Sequence, residues 1–178
     1  MTPAFKDWQP IVDALIAGDQ ILILRKGGIA EGPGGFQARA GRFWLFPTRF
    51  HAQPDKLKPG TPVRPAPEAP ETAITLAGYA HIHTHAFLSD WDRVQALDPH
   101  HRWAGATVRE RFTWSRPPGL HAFVVRAYRL RQPLRLGLTP AMAGCRSWID
   151  LPLAFEDHAS DPVLDEEAFA ARAKEIGI

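Results

Sequence analysis

Arg25 and Lys26 close the apolar run Ile21–Leu24 and open onto Gly27 and Gly28. An arginine carries a rigid fork of donors that matches phosphate or carboxylate, and adjacent glycines let a ligand approach the backbone. Ligand binding and a structural ion pair at a strand rim both fit this placement. Arg126 shares strand parity with Tyr128 and Leu130, so all three are expected to face inward while Arg129 and Arg131 face out. An inward arginine must be paired or line a cavity. It either joins Arg25 around one anionic pocket or forms a structural salt bridge.

Trp44, Phe46 and Phe50 lie close in sequence to Arg42, Arg49 and His51. Aromatic faces beside arginines are what single-stranded nucleic acid recognition uses, although alternating aromatics in a strand also mark a core. The candidate ligand-binding set is therefore Arg25, Lys26, Gly27, Gly28, Trp44, Arg49, His51, Arg126 and Tyr128. His81, His83 and His85 alternate along one strand face. Three imidazoles at i, i+2 and i+4 on a straight strand spread too far to reach one ion, so no metal is expected, and no cofactor. Cys145 is expected to pack with Trp148 rather than act as a nucleophile.

A catalytic role has less to draw on. Acid–base work would fall to His51 or a histidine of the 81–85 strand, and nothing in the sequence orients them. The acid followed by an E-x-K or D-x-K pair that metal nucleases carry is absent from the expected strands. A small hydrolase or nuclease acting on a nucleotide-like substrate, and a protein-interaction accessory domain, stand as the alternatives to a binding module.

The chain has 178 residues, 45% hydrophobic and 22% charged, which suits one folded domain with a sizeable core. No apolar run approaches a membrane span, the first residues lack the features of a secretory signal, and the single cysteine suits a reducing compartment; a cytoplasmic location is expected. The net charge of +2 hides an asymmetry: eight arginines between Arg102 and Arg135 face only Glu110, whereas eight acids from Asp150 onward face Arg172 and Lys174. A basic centre with an acidic tail points to an anionic partner, with the tail shielding that surface, or else to two separate solubilising faces.

The elements that must position these residues follow from periodicity. Residues 7–17 read as a helix capped by Asp7 and stopped by Gly18, with Pro10 in its first turn. Strands are expected at Ile21–Leu24, Thr72–Leu88, Leu120–Leu130 and Ser147–Leu151, with a hairpin from Phe36–Ala40 to Phe43–Phe46. Helices are expected from Ser89, between Trp103 and Phe112, and after Asp165 within an acidic segment 161–178. Prolines make 54–70 a surface loop of the single domain 1–178. The order is α+β, mostly antiparallel with segregated helices, and not a βαβ repeat.

Several segments together resemble the bacterial family catalogued as domain of unknown function 1802: Ile21–Ile29, Phe43–Thr48 with His51 and Gln53, Arg126–Leu130 with Pro133, and Cys145–Leu151. The likeness spans nearly the whole chain and brings no established activity. A more distant resemblance is to ASCH domains, PUA-like β-barrels that open with a helix and a G-x-K-T-x-E-x-R pattern. Gly18 and Arg25 fall at its glycine and arginine, while Gln20, Ile21 and Ile23 replace the lysine, threonine and glutamate. This resemblance implies a partly closed barrel and binding of RNA or a modified base. The three replacements speak against the chemistry of the hydrolytic members.

Overall fold

The computed structural model describes residues 1–26, 41–49, 53–65, 71–114, 116–144 and 146–178. The chain begins with β1 (Thr2–Trp8), which leads directly into α1 (Gln9–Ala17). Pro10 sits in the first turn of α1, and Gly18 ends it in the left-handed conformation at φ 80°. Ile11, Val12 and Leu15 bury the inner face of α1, each burial contributing about 1.5–3 kcal/mol. Residues 7 and 8 are thus strand rather than helix. Asp7 caps nothing: its carboxylate is buried.

After α1 come β2 (Leu22–Arg25), β3 (Arg42–Thr48), β4 (Ala73–Leu88), α2 (Trp91–Ala96) and α3 (Gly105–Trp114). They are followed by β5 (Leu120–Gly137), β6 (Trp148–Leu151), β7 (Ser160–Pro162) and α4 (Glu166–Ile176). The sheet order is β2-β5-β4-β3-β1-β6, with β7 added to β5. Every pairing is antiparallel except β1 with β3. The α+β, mostly antiparallel architecture matches the sequence expectation. The sheet itself stays open among the described residues: no ladder joins β2 to β1 or β6, and the side chain of Arg25 reaches across instead.

Two details differ from simple periodicity. β5 runs straight through Pro133, because Arg129 and Leu134 pair either side of a register irregularity between Leu76 and Gly78, where a missing N–H costs little. A second irregularity lies between Ile82 and Thr84. Before it His81 opposes Arg126, and after it His85 opposes Phe123, two positions of opposite parity on β5. One extra residue therefore turns His85 to the sheet face opposite His81.

The core has two parts. One gathers α1, β2 and the inner faces of α2, α3 and α4 around Leu22, Leu24, Leu88, Val94, Phe112 and Phe169. The other surrounds Trp44, Tyr79 and Phe155. His101 is buried at 4% exposure beside Trp103, whose backbone N–H donates to its Nδ1. Burial pushes its pKa down to about 4 from the ordinary 6.5, so the unfolded chain takes up this proton first. The stabilisation is complete above pH 6.5 and falls by about 3 kcal/mol as the pH drops towards 4. Urea unfolding at pH 7 and pH 4.5 should show wild type losing more stability than His101→Gln; equal losses would remove His101 as the cause.

Candidate functional site

Arg25 stands where β2 ends. Its register partner is His121 on β5, and His121 in turn faces Phe87 on β4. The guanidinium turns inward across the open side of the sheet. It donates to the Lys6 carbonyl at 2.9 Å and the Ser147 hydroxyl at 3.3 Å, and lies 4.8 Å from the Phe5 ring centre. It also faces the Asp7 carboxylate at 3.7 Å.

Asp7 is fully buried, and its Oδ1 accepts the Trp8 backbone N–H at 2.8 Å. Trp8 meets Trp103 edge to face at 5.0 Å, and Arg111 lies 3.6 Å over the Trp103 ring. Asp7, Trp8, Trp103 and Arg111 thus form a continuous wall behind Arg25. Burial pushes the Arg111 pKa down to about 10, partly offset by Asp7, and the group remains cationic at neutral pH. The Oδ2 of Asp7 and the Nη1 of Arg111 are both sealed from solvent and have no hydrogen-bond partner among the described residues.

Lys26 lies 3.7 Å over the ring of Trp114, the last residue of α3. Its pKa is lowered, first by burial and then by the Arg111 charge. Lys56 approaches Glu110 at 3.3 Å on the same side. Four cations, Arg25, Lys26, Lys56 and Arg111, therefore meet two carboxylates, Asp7 and Glu110. The surplus positive charge at the end of β2 is the electrostatic feature of the site. A phosphate or carboxylate entering there meets fixed donors that need little rearrangement.

Sequence reasoning missed Arg111. The available signal was its position on the buried stripe Thr107, Val108, Arg111, Phe112, where an arginine is out of place on an apolar face.

The other expected site residues divide. Gly27, Gly28 and His51 lie outside the described residues, as do the first arm of the expected hairpin and Cys145. Trp44 is completely buried, stacks on Phe155 at 4.7 Å, and donates its indole N–H to Thr2. It is core, and the ligand-stacking role expected for it is withdrawn. Arg49 follows Thr48, whose hydroxyl donates to the Asp7 carbonyl, but its guanidinium is paired with Glu71 at 3.0 Å.

Arg126 does not join Arg25. Five residues separate it from His121 on β5, about 16 Å, and its parity is opposite. It pairs with Glu166 of α4, beside Phe169, on the face that carries His81 and Tyr128. The void next to it holds only about 10 Å³. Tyr128 stacks face to face on Tyr79 at 5.1 Å. The expected single groove from Arg25 to Arg126 is not formed, because opposite strand parity sends the two side chains to opposite faces.

The histidines are divided by the irregularity in β4, and no group of three metal-ligating side chains occurs among the described residues. An open groove of about 560 Å³ lies between α1 and residues 62–64, lined by Asp13, Ile16, Arg64 and Arg129. Its charges are answered locally: Arg64 pairs with Asp13, and Arg129 donates to the Ile16 carbonyl. No helix among the described residues is long and apolar enough to cross a membrane.

A family model described as Domain of unknown function (DUF1802) matches residues 4–175. No curated protein matches the sequence. Among solved structures, the chain is similar to the crystal structure of ASCH from Zymomonas mobilis, at 14% identity and a TM-score of 0.50, over 97% of this chain and 93% of that one. A mutant form of that protein gives the same score and identity over 97% and 96%. The fold is therefore ASCH-like. At the motif position where ASCH domains carry lysine, Gln20 is buried, its amide donating to the Leu22 carbonyl and accepting from the Arg102 backbone.

Proposed function

We propose that this chain, which belongs to the family described as Domain of unknown function (DUF1802), binds RNA or a similar anionic, nucleotide-like ligand at the end of β2. One observation carries the reading: Arg25, Lys26, Lys56 and Arg111 gather around only two carboxylates, Asp7 and Glu110. A phosphate brought to the exposed rim of that group meets a surplus of positive charge. The ASCH-like fold points the same way by analogy alone.

Lys26 provides the cleanest test, because it is half-buried on the rim and its ammonium rests on Trp114 instead of tying strands together. Fluorescence anisotropy with a short labelled single-stranded RNA should show affinity falling steeply between about 50 and 200 mM salt. Lys26→Ala should weaken binding about tenfold at the lower salt and shrink the slope of log K against log salt by about 0.7–1. Binding that is absent, or indifferent to both salt and Lys26, rejects the reading.

A further inference from the structure

The cations account for phosphates but not for bases. Among the described residues, the exposed large apolar side chains are Met1 at the terminus, Phe87 at 46% and Trp114 at 58%. Exposed aromatics are ordinary when scattered, but these two are not scattered. Phe87, His121 and Arg25 form one cross-strand row over β4, β5 and β2, with neighbouring strands about 4.8 Å apart. Trp114 lies under Lys26, the next residue after Arg25. Phe87 thus lies two strands from Arg25 in the same row, and Trp114 lies against Lys26.

Phe87 is also held in place. Its ring lies 5.0 Å from His121 and rests on Gly119, where an added Cβ would come within 2.3 Å of Cζ. Behind it His85 stacks on Phe123 at 4.3 Å and 7°, and its Nε2 is 3.0 Å from Nδ1 of His121. Burial of the lower ring and the packed imidazoles fix the direction of the exposed one. A ring that is open to solvent yet rigid offers a stacking face with little ordering cost. A duplex hides its base faces in its own stack, so such rings serve only unpaired bases.

We infer that the ligand is a single-stranded RNA segment whose bases stack on Phe87 and Trp114 while its phosphates are held by Arg25 and Lys26. The inference rests on the anion-binding reading above and adds strandedness and the base contacts to it. The test is anisotropy with one labelled strand, alone and annealed to its complement, on wild type, Phe87→Ala, Trp114→Ala, Phe87→Tyr and Lys26→Ala, with thermal melts showing that each variant folds. The single strand should bind more tightly than the duplex. Phe87→Ala and Trp114→Ala should each lose about 5- to 100-fold in affinity with an unchanged salt slope, while Phe87→Tyr keeps wild-type binding. If Lys26→Ala weakens binding while both ring variants bind as wild type, or if duplex and single strand bind alike, the stacking inference is overturned and the anion site stands. If wild type binds neither form, both fall together.

Discussion

Asp7→Ala should cost the fold about 3 kcal/mol, one of the largest losses open to a single substitution in this chain. Asp7 is fully buried, between Arg25 at 3.7 Å and the stack that carries Arg111. Removing it leaves two cations facing each other with no carboxylate between them, and frees the Trp8 N–H it holds. The full cost of breaking a wholly buried pair is about 3–5 kcal/mol, and the partial exposure of Arg25 argues for the lower end. Urea denaturation measures it. A double variant, Asp7→Ala with Arg111→Met, should lose less than the two single losses added, because the second change removes the orphaned charge. A loss under about 1 kcal/mol for Asp7→Ala would mean that the carboxylate is not coupled to the arginines.

Gly78→Ala should be comparably damaging for a different reason. A Cβ at Gly78 would sit 2.1 Å from the Tyr128 carbonyl oxygen and 2.6 Å from Cδ1 of Ile16. The isoleucine can turn aside, but the carbonyl belongs to the adjacent strand and cannot. Accommodating the methyl means separating β4 from β5 where α1 lies on them, at about 3 kcal/mol. Gly137→Ala, at the open end of β5 with nothing within 4 Å, should change stability by less than about 0.5 kcal/mol. Equal stability of the two variants would contradict the close approach at Gly78.

Local pattern carried much of the architecture. α1 announces itself by Pro10 and Gly18, β2 by its isoleucine-rich run, and α4 by Asp165, whose side chain accepts the Ala168 N–H. β1 was unreadable because its second half carries Lys6 and Asp7, two charges that suggest a surface. They are buried by distant partners: Lys6 donates to the Met142 and Gly144 carbonyls, and Asp7 faces Arg25. The irregularity that parts His81 from His85 was equally hidden, since an extra residue in a strand is defined only against its neighbour.

The charge asymmetry was real but less free than composition suggested. Within the arginine-rich stretch, Arg102 pairs with Asp19, Arg126 with Glu166 and Arg131 with Asp161, so the acidic tail answers two of the three. Among the described residues, the group at β2 gathers four cations around two carboxylates. Arg25 was legible there as a strand-end arginine, whereas Arg111 was signalled only by its place on the apolar stripe of α3, and its partner ring Trp103 became visible only in the packing. Trp44 shows the converse error, an aromatic beside arginines that its strand turns wholly into the core.

Ultraviolet cross-linking of wild-type protein to a short single-stranded RNA, followed by peptide mapping, tests the central claim most directly, because it reports where the ligand lies. The site at β2 predicts adducts on the peptides carrying Lys26, Phe87 and Trp114, suppressed by high salt and reduced in Lys26→Ala. Adducts confined to the face of Arg126, Tyr128 and His81 beneath α4, or to the groove between α1 and Arg64, would contradict it.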